Sequence, residues 1–309
     1  MTDAAAPAPV GVRLRLGRAA PIVAVLIGFL ALWYVAALPM NAWQLEKQFS
    51  RIDPDRVFSL EEKLAAGWTV RRPLLPTPDL IVGDFWKTTT TANVLSKHNL
   101  LYHVVVTATS TLVGFLAGAL LGIVLAVGIV HLRTLDASLM PWLIASQTVP
   151  ILAIAPMLLA VLGALDVSSL VAKAAISMYL CFFPVTVGMV KGLRSPDRLA
   201  LDLMHTYTAT DAQIFTKLRW PASMPFLFAS LKVAIALGLV GAMVAELSTG
   251  GQAGLGGRLL NASYNGDMLH MWTALVTSSL LAVALVAAVA RTERGVLRAM
   301  GTPPRRSQA

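Results

Sequence analysis

The chain is poor in the residues that carry chemistry in soluble enzymes. Of its 309 residues one is cysteine, five are histidine and only 13% are charged. A single thiol, Cys181, excludes an internal disulfide and any cysteine-built metal cluster. The histidines are scattered: His98 and His103 stand five apart, with no HExxH and no paired-cysteine spacing, so no metal site is expected. No Gly-x4-Gly-Lys-Ser/Thr segment occurs, so the chain does not hold a nucleotide in the usual phosphate loop. Convergent His, Asp, Glu or Ser groups at motif spacing are missing as well, which argues against a membrane-embedded enzyme.

What is there is apolar. With 56% hydrophobic residues and a mean hydropathy of +0.69, the composition is that of a membrane protein. Crossing hydrocarbon of roughly 30 Å takes about 20 helical residues, and six runs meet that need: Ala19 to Leu38, Val104 to Val130, Ala137 to Leu165, Val167 to Val190, Pro225 to Leu247 and Thr273 to Ala290. The fold class expected is an all-α polytopic membrane protein with six transmembrane helices. The first run is too long, and too lacking in a small-residue cleavage pattern, to be a removed signal peptide.

Charge sets the expected topology. The net charge of +9 comes from basic residues dispersed at helix ends without aromatic interleaving, so nucleic acid is not the partner they suit. Arg13, Arg15 and Arg18 precede the first run, Lys191, Arg194, Arg198, Lys217 and Arg219 lie between the fourth and fifth, and Arg291, Arg294 and Arg298 follow the last. The positive-inside rule then places both termini in the cytoplasm. The stretch from Pro39 to His103 breaks the pattern with eight Lys and Arg among seven acids, but long translocated loops weigh little in that rule. The organisation expected is a cytoplasmic tail over 1–18, a first span over 19–38, an extracytoplasmic loop over 39–103, a five-helix core over 104–290 with a cytoplasmic loop over 191–224, and a cytoplasmic tail over 291–309. In the outer loop, Trp43, Trp68 and Trp86 suit headgroup-level anchors, and a short helix is expected at Leu60 to Ala66.

Inside the runs a few features stand out. Gly114, Gly118 and Gly122 are four apart and form one smooth ridge on a helix, where a neighbouring backbone can come close. The third run holds Pro141, Pro150 and Pro156, which predicts a kinked helix. Ser146, Gln147 and Thr148, just before Pro150, are candidate pathway-lining residues, since polar groups at that depth face other helices or a wet route. Lys173, Lys232 and Glu246 lie near span ends, where long side chains can snorkel. An ion-coupled secondary transporter, the alternative reading, would be expected to show inverted repeats and midplane acids, and neither is evident.

The polar stretch between the fourth and fifth runs is the most informative. Ser195-Pro196-Asp197 predicts a helix start, with a helix running from about Pro196 to Thr206 and an apolar face of Leu199, Ala200, Leu203 and Met204. Thr210 and Gln213 have capping-box spacing, so a second short helix should run to about Arg219, where Pro221 stops it. Ile214, Phe215 and Leu218 then face one way while Asp211, Lys217 and Arg219 stay wet. Two amphipathic helices outside the membrane suit a docking element or a cover on the chain's own spans.

This stretch resembles the cytoplasmic loop of bacterial ABC-importer permeases, in which Glu-Ala-Ala is followed four residues on by Gly and ends in an apolar-x-Leu-Pro. Aligned on Pro221, Asp202 stands for the Glu, Leu203 and Met204 for the alanines, Thr208 for the Gly, Leu218 for the apolar position and Trp220 for the Leu. "PASMPFLFASLKVAIALGLVGAMVAEL" and "AGLGGRLL" resemble the fifth span and following outer loop of the nitrate, sulfonate and taurine branch, and "HVVVTATSTLVGFLAGALLGI" and "QTVPILAIAP" its second and third spans.

The resemblance implies a type I ABC-importer permease of the bacterial inner membrane. Its loop residues Asp202, Leu203, Met204, Thr208, Ala209, Phe215, Leu218 and Pro221 would seat in a separate ATPase subunit that binds the ATP. Two permease chains would pair, the chain itself would need no cofactor, and an extracytoplasmic binding protein would deliver a small solute such as nitrate, a sulfonate or taurine. The glycine-rich Gly250 to Gly257, a flexible outer loop by composition, would by the same resemblance contact the binding protein.

Overall fold

A computed structural model describes residues 13–49, 59, 61, 73–90, 96–250 and 253–301, and among these the regular structure is entirely helical. The helices are α1 (Arg13–Phe49), α2 (Pro78–Thr90), α3 (Leu100–His131), α4 (Arg133–Ser146), α5 (Ile151–Ala164), α6 (Ser169–Leu193), α7 (Arg198–Thr206), α8 (Asp211–Ile214), α9 (Trp220–Ser248), α10 (Leu255–Tyr264) and α11 (Met268–Ala299). A π-helical turn, Phe215–Arg219, joins α8 to α9. Among the described residues five stretches are long and apolar enough to cross a membrane, and a sixth is made if α4 and α5 are taken together. The short helix expected at Leu60 to Ala66, and Trp68, lie outside the described residues.

The chain divides into two compact units, one reaching to Asp84 with Asp267–Leu269, the other comprising Phe85–Gly266 and the residues from His270 onward. In the first unit, α1 runs through Pro39 to Phe49, well past the expected end at Leu38. It is tied to the segment before α2. The buried Asn41 amide gives Nδ2 to the Leu75 carbonyl at 3.2 Å and takes the Leu75 amide at 3.1 Å. Trp33 Nε1 donates to the Pro76 carbonyl at 3.1 Å, and the Tyr34 hydroxyl to Asp79 Oδ1 at 2.9 Å.

In the second unit the core is built on α6, packed between α3 and α9. The predicted glycine ridge explains the closeness of α3 and α6. A Cβ on Gly114 would lie 2.5 Å from Ser177 Cβ, one on Gly118 2.6 Å from Cys181 Cβ, and one on Gly122 2.8 Å from Val185 Cβ. Ser177, Cys181 and Val185 are themselves four apart, so two i, i+4 rows interlock and the ridge serves plain close packing. From the other side, Gly238 of α9 brings the same Cys181 and Ser177 equally near.

Three expectations change. The third run is a broken helix rather than a kinked one: α4 and α5 are separated at Gln147–Pro150 and bent by 99°. Pro150 has no N–H to continue the helix and serves as the N-cap of α5, whereas Pro141 and Pro156 lie within helices. Pro221 does not end a helix either. It is the second residue of α9, which follows the π turn without a break, so the ring is accommodated inside a continuous helix. The π turn ahead of it widens the spiral, with the Trp220 N–H reaching back five residues to the Phe215 carbonyl. Lastly, α7 starts at Arg198 with Asp197 as its cap, its carboxylate taking the Arg198 amide at 2.7 Å; Ser195 bonds back to the Gly192 carbonyl instead.

Candidate functional site

Two short helices and the turn between them, α7 and α8, form the first candidate element. The turn at the end of α7 is a Schellman motif: the Ala209 N–H donates to the Met204 carbonyl at 3.0 Å and the Thr208 N–H to the His205 carbonyl at 2.9 Å. The first residue past the cap must turn left-handed in this motif, and Thr208 does so with φ +53°. That conformation suits Gly and penalises a β-branched side chain, so the turn reaches by neighbouring bonds what a glycine gives freely. Thr210 then caps α8 in a complete box, its Oγ1 accepting from the Gln213 N–H at 3.4 Å and Gln213 Oε1 accepting from the Thr210 N–H at 2.9 Å.

The apolar residues of this element separate into two sets. Leu199, Leu203 and Tyr207, four apart on α7 and its cap, are 77%, 56% and 75% exposed and form an open stripe ending beside Thr208. Asp202 and Thr208 are exposed with them, and Met204 and Ala209 are half-buried. Ile214 is buried, and Phe215 and Leu218 are half-buried. The Phe215 ring packs against His131 at 5.1 Å and Trp220 at 5.9 Å, so it anchors the handle to its own bundle. Pro221 is half-buried at the base of α9.

The break between α4 and α5 is the second element. Ser146 is half-buried, and Gln147 and Thr148 are exposed. The Ser146 and Thr148 hydroxyls donate to carbonyls three residues back, Leu143 at 2.7 Å and Ala145 at 2.8 Å. Tyr179 of α6 donates its hydroxyl to the Ser146 carbonyl at 2.5 Å. The last turn of α4 is thus partly satisfied by side chains, as a broken helix within hydrocarbon must be.

The third element was not foreseen in the sequence. At the end of the bundle opposite the handle, Glu246 is 0% and Lys173 4% exposed, so neither snorkels. The Glu246 carboxylate takes the Thr107 hydroxyl, 2.8 and 2.9 Å from its two oxygens, and the Gly256 N–H at 2.9 Å. The same Thr107 oxygen accepts the Leu255 N–H at 2.8 Å. Lys173 donates to the Ala253 carbonyl at 3.1 Å, and the Gly254 N–H donates to His103 Nδ1 at 3.1 Å. His103 Nε2 lies 2.8 Å from the Lys97 carbonyl, so one tautomer, with the hydrogen on Nε2, satisfies both contacts.

The strap Ala253–Gly256 is therefore held at every residue by α3, α6 or α9, and the expectation of a flexible loop gives way at these positions to a pinned one. Gly254 has φ +106°, and a Cβ there would fall 2.0 Å from the Glu246 carboxyl carbon. The sequence did carry a signal in the acid closing a span followed within ten residues by GLGG. Its meaning depends on Thr107, which is 139 positions away. Among the described residues no group of three His, Cys, Asp or Glu could hold a metal ion.

Residues 118–297 match the family model of the binding-protein-dependent transport system inner membrane component. The chain belongs to this family. It is similar to the riboflavin transport system permease protein of Chloroflexus aurantiacus, 29% identical over 73% of this chain and 80% of the relative. It is also similar to a probable ABC transporter permease protein of Haemophilus influenzae, at 32% over 56% of this chain and 69% of the relative. With the formylaminopyrimidine transport permease protein of Halalkalibacterium halodurans it shares 27% identity over 82% of this chain and 98% of the relative.

As a binding-protein-dependent inner membrane permease, the chain is the transmembrane, non-catalytic component of an ABC importer and carries no cofactor. Dependence on a binding protein and on ATP brings two kinds of separate partner, a solute-binding protein and an ATPase. The permease family match runs from within α3 to near the end of α11, and so takes in both the handle and the broken helix.

Proposed function

We propose that two copies of this chain pair around a central route and that each presents its α7–α8 handle to an ATPase subunit. Both termini lie in the cytoplasm, where the positive-inside pattern puts them. The observation that carries the reading is the open stripe Leu199, Leu203 and Tyr207 beside the left-handed turn at Thr208. An apolar stripe with a charged border, standing on a well-capped helix outside the spans, is a ready docking surface. ATP-driven closure of the partner would draw the two handles together and rock the spans, opening the route to each side in turn. Ser146, Gln147 and Thr148 line that route at the break in the third span, where irregular backbone needs a wet cavity or protein cover.

The solute is a small molecule delivered by the binding protein. The resemblance to the nitrate, sulfonate and taurine branch favours a small anion, while two of the relatives are named for riboflavin and formylaminopyrimidine, which favours a small heteroaromatic compound. Crosslinking tests the docking claim. A cysteine placed at Ala209 should form an adduct with the ATPase subunit, and since Cys181 is fully buried the native background needs no alteration. Absence of an adduct in every nucleotide state would remove the claim. Uptake that survives ATP depletion but collapses with an uncoupler would instead show an ion-coupled carrier.

A further inference from the structure

We propose that the cleft where α4, α6 and α9 meet, at the end of the bundle that carries the handle, binds the headgroup of an anionic phospholipid. Val187 and Lys191 stand four apart on α6 and Arg194 follows as its C-cap, so one face of the helix passes from apolar to cationic along the cleft. Gly192 lets α9 come close to this end of α6: a Cβ there would fall 2.9 Å from both Phe226 Cβ and Ser223 Cβ. Phe226 thereby floors the cleft from α9, and Met140 closes it from α4, around an open volume of about 470 Å³.

The rim sets two cations against one acid. Arg194 donates from Nη2 to Asp136 of α4 at 2.8 Å, and its other guanidinium hydrogens remain open to a further acceptor. Lys191 is exposed on the rim and, among the described residues, makes neither a hydrogen bond nor an ion pair. The nearby Asp197 carboxylate is taken by the Arg198 amide at 2.7 Å.

Depth and shape select the ligand. α6 has 25 residues, about 37 Å at ~1.5 Å per residue, against roughly 30 Å of hydrocarbon, so its last turn stands at the polar boundary. A phospholipid without a compensating ammonium fits both parts of the cleft, its phosphodiester on Lys191 and Arg194 and its chain along Val187, Met140 and Phe226. A free oxyanion would leave that apolar floor unused. Ser195, on the same rim, leads through Asp197 straight into α7, so a bound headgroup braces the root of the handle.

The test titrates the full chain, in a non-ionic detergent, with phosphatidylglycerol, phosphatidylcholine or inorganic phosphate. Bound lipid is counted by native mass spectrometry, and half-saturation is read from thermal stabilisation. Phosphatidylglycerol should half-saturate about fivefold below phosphatidylcholine, and Lys191→Gln should remove that advantage, the share of one lysine at an anionic headgroup. Lys191→Arg should keep it. Val187→Trp, which fills the cleft without altering its charge, should weaken binding while the unliganded melting temperature holds. Arg298→Gln removes an exposed cation outside the cleft and should change nothing. An equal response to Lys191→Gln and Arg298→Gln would mean diffuse surface charge and overturn the proposal, as would a parent chain indifferent to the headgroup. Saturation by inorganic phosphate alone would make this a free-anion site, and loss of chain pairing in Lys191→Gln with lipid binding unchanged would make it a contact between copies; either result overturns the lipid assignment.

Discussion

The Ala209 amide reaches over Thr208 to the Met204 carbonyl at 3.0 Å, and Thr208 bends left-handed beneath it. A threonine held this way carries strain of about 1–2 kcal/mol. Thr208→Gly should relieve it and raise the melting temperature of the detergent-solubilised chain, a net gain of about 1 kcal/mol after the added freedom of the unfolded glycine. Thr208→Val should not gain. If Gly and Val behave alike in thermal melts, the strain at this turn is not real.

Leu203 and Phe215 should respond in opposite ways to the same substitution. Leu203→Asp puts a charge on an open stripe, so folding should persist while ATPase coupling falls. Phe215→Asp puts one against His131 and Trp220 in the core cluster, and should destabilise by about 3 kcal/mol or more. Parallel melting and coupled-transport assays separate the two effects, and a stable, uncoupled Phe215→Asp would reverse the assignment.

The glycine ridge should tolerate no bulk. Gly118→Leu must push Cys181 and the Met178 carbonyl away and should cost about 1–3 kcal/mol, with lower yield of folded protein. Gly28, whose Cβ would meet nothing within 4 Å, is the control, and Gly28→Leu should leave yield and melting unchanged.

Tyr179 and Gln147 report on the broken helix from two sides. Tyr179→Phe removes the hydroxyl from the Ser146 carbonyl and should lower stability by about 1 kcal/mol. Gln147→Ala removes an exposed side chain and should alter the solute concentration at half-maximal uptake without moving the melting temperature. Uptake kinetics identical to the parent would take Gln147 out of the route.

Much of this was legible because it is local. Glycines at 114, 118 and 122 share a helix face by geometry alone, and Thr210 with Gln213 encode a cap within four residues. The two short helices between 198 and 214 were legible for the same reason, though Thr208 hides the left-handed turn that a glycine would have advertised. The broken third span was half-legible: three prolines announced trouble without saying which one would stop the helix. The strap was not legible, since its meaning lies in Thr107, Lys173 and Glu246 converging from three helices on backbone amides and a carbonyl. Composition near a span end suggests snorkelling, and only packing shows burial.

The π turn at Phe215–Arg219 carries one more consequence. By absorbing Pro221 without a joint, it lets Asp211 to Ser248 run as one 38-residue stretch, about 57 Å of rod at 1.5 Å per residue. Gln213 of the handle and Glu246, which holds the strap, thus lie near the two ends of one continuous helix. A displacement of the handle would therefore have a continuous backbone path to the residues that hold the strap.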